Sequence, residues 1–268
     1  MVIASLGVAC SLLSFHGIDA IGQDAAADGA RADSRDMPSD ATIADASLPI
    51  KDGLVLWVRA APSEVDTDGG VRWKDRSVSS SDLVQVAPER SPQWAPGALG
   101  GLDAVHFAPG NVLTIEKDLF TSTVVDGYSI FVVCRLSQPG KWLSMGTGST
   151  TFEVEATAGG VVLTVGTASS SAFGVVELGA THVYAVVVEP NKALVVREDA
   201  DGGTKAGSWM PSAAARARRD FGGAELDDGG AVVQSAVGDY AEVAVFGRAV
   251  SPAELSVLMS HFATVWKL

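Results

Sequence analysis

From Lys51 onward, apolar residues come in short runs separated by Gly, Pro, Asn and Asp, not at helical spacing. The runs are 53–59, 71–75, 82–86, 103–108, 111–115, 128–136, 141–145, 151–156, 160–165, 173–178, 181–189, 193–198 and 240–246. Strands that recur every roughly 8–12 residues with turn residues between them predict an antiparallel sandwich or barrel and exclude a βαβ fold. Within 151–156, Phe152, Val154 and Ala156 alternate with Thr151, Glu153 and Glu155, the signature of a half-exposed strand. Residues 183–188 (VYAVVV) are apolar throughout, so this strand is expected to be covered on both faces. It enters a second strand through Glu189-Pro190-Asn191-Lys192. Proline presets the first central turn position and asparagine tolerates the next, which predicts a hairpin. Helical periodicity appears only at the end. Ser251-Pro252-Ala253-Glu254 has the form of a capping box with proline at the first helical position. Leu255, Leu258, Met259, Phe262 and Trp266 then form one apolar stripe, suited to covering a flank of the sandwich.

The first 50 residues have a different pattern. Residues 2–15 are 14 consecutive uncharged, mainly apolar positions, a length that suits a secretory signal and is short for a membrane span. Ala20-Ile21-Gly22 offers a cleavage site before Gln23, so residues 1–22 are expected to be a signal peptide. Gly7-Val8-Ala9-Cys10 resembles a lipobox, in which Cys10 would carry a lipid anchor. Residues 23–50 are rich in Ala and Asp, with six aspartates against two arginines and no aromatic residue. Such a segment buries too little apolar surface to offset its ordering entropy, and is expected to be a disordered acidic linker leading to a domain at 51–268.

Composition narrows the function. Net charge is −13, from 32 acids and 19 bases, opposite to the cationic footprint of a nucleic-acid binder. The two cysteines, Cys10 and Cys134, supply neither a disulfide scaffold nor a cysteine zinc site. After residue 22 no apolar run approaches the roughly 18 residues of a spanning helix. Export would place the protein outside the cytoplasm, secreted or on a bacterial cell surface, with membrane contact only through the Cys10 anchor.

The order of motifs resembles the laminin-G-like, or concanavalin A-like, lectin/glucanase jelly rolls of bacterial surface proteins. Four pieces carry the resemblance. They are the strand Gly53–Ala60 containing Trp57, the segment Trp73-Lys74-Asp75-Arg76-Ser77 after the Asp68-Gly69 loop, the strand Ala104–Phe107, and Gly238–Phe246 running into the capped helix. The resemblance spans about residues 51–268. It implies an all-β fold, an antiparallel two-sheet jelly-roll sandwich of concanavalin A-like type with a C-terminal α-helix packed on it. The functions it implies are sugar binding, protein binding, adhesion and, in some branches, glycoside hydrolysis.

The chemistry-bearing residues argue against an enzyme. Hydrolytic relatives carry clustered acids, because retaining hydrolysis needs two carboxyls about 5 Å apart. The nearest arrangement is Glu153-Val154-Glu155, two acids on one strand face without a third, which reads as a solvated face. Glu242, on one strand face with Tyr240 and Phe246, reads as a hydrogen-bonded structural acid. His16, His106, His182 and His261 lie far apart without ligand spacing. Ser170 and Ser171 are not in a nucleophile elbow, and Cys134 reads as a small core residue. No catalytic set is nominated and no cofactor is expected apart from calcium. Its candidate ligands are Asp66 and Asp68 in one Asp-Gly loop and Asp227 and Asp228 in another. Sugar contacts need exposed aromatic faces, for which Trp94, Trp142 and Trp209 are the candidates, Trp57 and Trp73 being assigned to the core. The leading expectation is a non-catalytic recognition module for a glycan or a surface protein. A divergent polysaccharide hydrolase or lyase using Glu153 and Glu155, and a purely structural envelope protein, remain as alternatives.

Overall fold

The computed structural model describes residues 47–120, 127–146, 151–210, 219–225 and 232–268. In chain order it forms β1 (Leu54–Arg59), β2 (Val65–Asp66), β3 (Val71–Trp73), β4 (Leu83–Gln85), β5 (Gln93–Leu99), β6 (Leu102–Phe107) and β7 (Leu113–Ile115). The middle of the chain gives β8 (Tyr128–Leu136), β9 (Gly140–Met145), β10 (Phe152–Thr157), β11 (Gly160–Val165) and β12 (Ala168–Ser169). Then come β13 (Thr181–Glu189), β14 (Lys192–Arg197), β15 (Ala200–Ala206), β16 (Arg219–Phe221), β17 (Ala224–Glu225), β18 (Val232–Val233), β19 (Gly238–Phe246) and the helix α1 (Pro252–Trp266).

Two antiparallel sheets result. One has the order β15-β14-β13-β8-β19-β6-β5, with β1 also paired to β19; the other runs β12-β11-β10-β9-β16-β7-β4-β3-β2. β17 and β18 form a separate ribbon. On one edge of β19, Gly238–Tyr240 pair with β6 and Glu242–Phe246 pair with β1. Among the described residues no helix is long and apolar enough to cross a membrane.

The eight-stranded sheet is apolar on both faces, as the unbroken run at 183–188 requires. Tyr184, Val186 and Val188 enter the core between the sheets, where they meet Trp73, Trp142, Phe152 and Phe221. Val183, Ala185 and Val187 point the other way, into a second core with Phe131, Phe246, Leu258, Phe262 and Trp266. The predicted stripe on α1 is therefore docked on this outer face. Leu48 joins the same core at 2% exposure and Ile50 packs against it. Leu48 and Ile50, within the segment read as linker, thus belong to this core; two apolar residues flanking Pro49 are too few to register as a pattern.

Two readings are corrected. At 173–178 only Phe173 pairs, in an isolated bridge to Val161, because Gly174 takes φ +73° and turns the chain away. A register shift between Tyr240 and Glu242 places Tyr240 in the inter-sheet core. Glu242 falls on the helix side with Phe246, so the three do not share a face.

Candidate functional site

β5 lies at one end of the eight-stranded sheet and β2 at one end of the other. Between them is a groove of about 590 Å³ lined by Thr67, Gly70, Pro88, Ser91, Pro92 and Trp94 among others. Trp94 pairs with Val105 of β6 and is half-buried, its ring packed against the inter-sheet core. The facing wall is the turn between β2 and β3. There Asp66 Oδ1 accepts the Asp68 amide at 3.0 Å, an Asx turn that leaves both carboxylates exposed. Gly70 is required at the end of this turn, since its φ is +142° and a Cβ would stand 2.3 Å from the Gln85 carbonyl oxygen. Ser91 Oγ donates to the Ala87 carbonyl at 3.0 Å, so its lone pairs can accept from a ligand. An apolar indole beside hydroxyls, an amide and carboxylates is the chemistry that binds a pyranose or furanose ring.

The other two tryptophans nominated for sugar contact are core residues. Trp142 is 0% exposed, its ring 5.3 Å from that of Tyr184. Strict alternation would put Trp142 opposite Leu143, but a bulge between β9 and β10 turns both inward. Trp209 is 8% exposed and belongs to the same core, its carbonyl accepting from Tyr128 Oη at 3.3 Å. Neither has a face open to a ligand. Trp57 and Trp73 are in the core as expected. Asp227 and Asp228, like Cys10, lie outside the described residues.

Glu153 and Glu155 share the outer face of β10, opposite Ser144 and Lys141 on β9 and Thr164 and Val162 on β11. Glu153 is ion-paired with Lys141. Burial pushes the Glu155 carboxyl above the ordinary range, with Lys141 opposing the shift and Glu153 adding to it. None of their register neighbours is aromatic, so the pair lacks the platform that would hold a sugar ring over it.

The segment Trp73–Ser77 also finds its role. Asp75 accepts from the Trp57 and Ser77 amides through Oδ1 and from Ser77 Oγ and the Ser81 amide through Oδ2, at 2.7–2.8 Å. It locks the loop before β4 to β1. Cys134 is buried and free, its thiol pushed well up by burial. His106 pairs with Asp239 at 2.8 Å.

One cluster was not singled out in the sequence. His182, Glu198 and Asp199 each bring a ligand atom within 4.8 Å of the others. The hairpin makes this legible in retrospect, because pairing Glu189 with Lys192 and Tyr184 with Arg197 carries His182 to a position opposite Asp199.

No family model matches this chain, and no curated protein matches it. Solved structures do. Domain 4 of AbnA, a GH43 extracellular arabinanase from Geobacillus stearothermophilus in complex with arabinotriose, matches with a TM-score of 0.54 at 13% identity. The match covers 78% of this chain and all of that domain. Trypanosoma rangeli sialidase in complex with sialic acid matches with a TM-score of 0.55 at 13% identity over 82% of this chain and 34% of the sialidase. The binding domain of Paraclostridial Mosquitocidal Protein 1 matches with a TM-score of 0.53 at 12% identity, over 80% of this chain and 53% of that one. The chain is a two-sheet β-sandwich. It spans about a third of the length of the sialidase it matches.

Proposed function

We propose that this protein is a non-catalytic recognition module of the laminin-G-like or concanavalin A-like kind, displayed outside the cytoplasm, that binds an uncharged glycan in the Trp94 groove. The observation that carries the reading is the half-buried indole of Trp94 set against the polar turn 66–70 in a groove open to solvent. The arabinotriose-bound arabinanase domain with the same fold supports a carbohydrate-related role. Exposed Asp66 and Asp68 beside the groove disfavour anionic sugars through like-charge repulsion. The hydrolase alternative has less support, since Lys141 neutralises Glu153 and no aromatic flanks the acid pair in register.

A glycan array followed by titration calorimetry tests the proposal. At least one class of neutral oligosaccharide binds, and Trp94→Ala abolishes the signal in a chain that still unfolds cooperatively, at a melting temperature lowered by the lost core packing of the indole. Trp142→Phe leaves affinity unchanged. A blank array, or binding that survives Trp94→Ala, removes the groove as the site.

A further inference from the structure

We infer that the His182 corner of the sandwich is a site for a first-row divalent transition cation, ligated by His182 Nε2 and Glu177 with solvent completing the set. This inference is independent of the glycan reading. His182 Nδ1 lies 2.6 Å from Glu198 Oε1. A carboxylate only accepts, so Nδ1 carries a proton, and Nε2 is the ring nitrogen left to ligate a metal. Glu198 is itself immobilised, since its Oε2 accepts the Val183 amide at 2.8 Å. A carboxylate that fixes the tautomer through one ring nitrogen is the arrangement that supports metal ligation by the other.

That other nitrogen is the decisive observation. The His182 side chain is only 8% exposed, and Nε2 is buried with no hydrogen-bond partner among the described residues. It faces Glu177 Oε2 at 3.4 Å, outside hydrogen-bond geometry. A positive charge between the two, a proton or a metal ion, stabilises this pair. Their separation suits the metal ion: tetrahedral bonds of about 2.0–2.1 Å place neighbouring ligand atoms about 3.4 Å apart.

The remaining groups fit. Glu177 is held in place because Tyr184 Oη donates to its carbonyl and accepts from its amide, each at 3.1 Å. Arg197 donates to Glu177 Oε2 at 2.8 Å and also pairs with Asp199, drawing both acids toward the imidazole. Each carboxylate oxygen has two lone pairs, so these contacts leave ligating capacity. Three carboxylates around one imidazole and one guanidinium make a negatively charged corner that favours a dication. Mixed nitrogen and oxygen donors select zinc, cobalt or nickel over calcium, which prefers oxygen alone. Glu177 and Asp199 are half exposed, giving the ion a path from solvent.

Titration calorimetry of the chelator-treated full chain with zinc chloride, and separately with calcium chloride, tests this. One equivalent of zinc binds with micromolar or tighter affinity, calcium binds at least tenfold more weakly, and the His182 Nε2 nitrogen resonance shifts on zinc addition. Glu177→Gln weakens zinc binding about tenfold or more while leaving the melting temperature of the metal-free protein unchanged, as its half-exposed side chain allows. His182→Gln abolishes binding. If His182→Gln does not fold, the nitrogen resonance and Glu177→Gln carry the test alone. Absence of saturable zinc binding below millimolar concentration would overturn the assignment. So would equal affinity for calcium, an unmoved Nε2 resonance, or binding indifferent to Glu177→Gln.

Discussion

Glu242 carries a carboxylate where the side chain has no solvent exposure, and three donors make that tolerable. Arg59 Nη2 donates to Oε1 at 2.8 Å, Trp57 Nε1 to the same oxygen, and Trp266 Nε1 to Oε2 at 2.7 Å. The acid therefore joins β1, β19 and α1 at one point. A buried pair adds little over an apolar substitute, but removing one member leaves the other charge uncompensated. Glu242→Ala should lower stability by about 3–5 kcal/mol, read from urea melts, because Arg59 is equally buried. The exposed pair Lys192–Glu189 provides the contrast: Lys192→Ala should cost no more than about 1 kcal/mol. Equal costs would mean that Glu242 is not sealed from water. Which residues could touch a ligand was also decided at this scale. Trp94 and Trp142 look alike in sequence, yet a single bulge residue in β9 separates the half-open indole from the sealed one.

At the scale of elements, α1 followed its sequence most closely. Ser251 Oγ accepts the Glu254 amide at 3.3 Å and Glu254 Oε2 accepts the Ser251 amide at 2.8 Å, which is the capping box read from four residues. Arg248 adds a bidentate pair to Glu254 at 2.7–2.9 Å. Ser251→Ala should cost roughly 0.5–2 kcal/mol, and Phe262→Ala more, about 3–5 kcal/mol, since Phe262 is fully buried. Arg248 and the cap together hold the Glu254 carboxyl down at about 2. Its folded value is below the unfolded one, so its contribution is present above the ordinary carboxylate range and is lost as pH falls through about 2. Glu254→Gln should therefore destabilise at neutral pH and lose its effect in strong acid. A mild Phe262→Ala would mean that the helix is not docked. The strands escaped sequence reading where backbone chemistry hid them. β5 contains Pro96 and Gly97 and reads as a turn, yet pairs along β6 with an irregularity between Ala95 and Leu99. In β15, a Cβ at Gly202 would lie 1.6 Å from the Val195 carbonyl oxygen. The glycines that make this segment look like a loop are what let it approach β14.

At the scale of the molecule, the helix closes one face of the eight-stranded sheet and the Trp94 groove opens between strands at the ends of the two sheets. The proposed recognition role requires export, and the proposed signal at residues 1–22 makes that testable. Mass spectrometry of protein from the native host should find a chain beginning at Gln23 or a lipid-modified Cys10. An intact Met1 in the cytoplasmic fraction would exclude both.

The alternation of apolar and polar residues determined the antiparallel strands, the two-sided burial of β13 and the docked helix, because these depend on which face each residue presents to a neighbouring layer. The hairpin at Pro190-Asn191 was equally local, since the turn residues set its register. Tertiary structure alone decided the sites. The groove takes its walls from residues 67–71, leading into β3 of one sheet, and from 88–94, leading into β5 of the other. The cation corner takes its ligands from β13 and from a loop whose glycine interrupts an apparent strand. Bulges in β9 and β19 reversed the facing of Trp142 and Glu242. A pattern of period two reports facing only while the period holds. One extra residue in a strand changes what is buried without changing the pattern that predicts it.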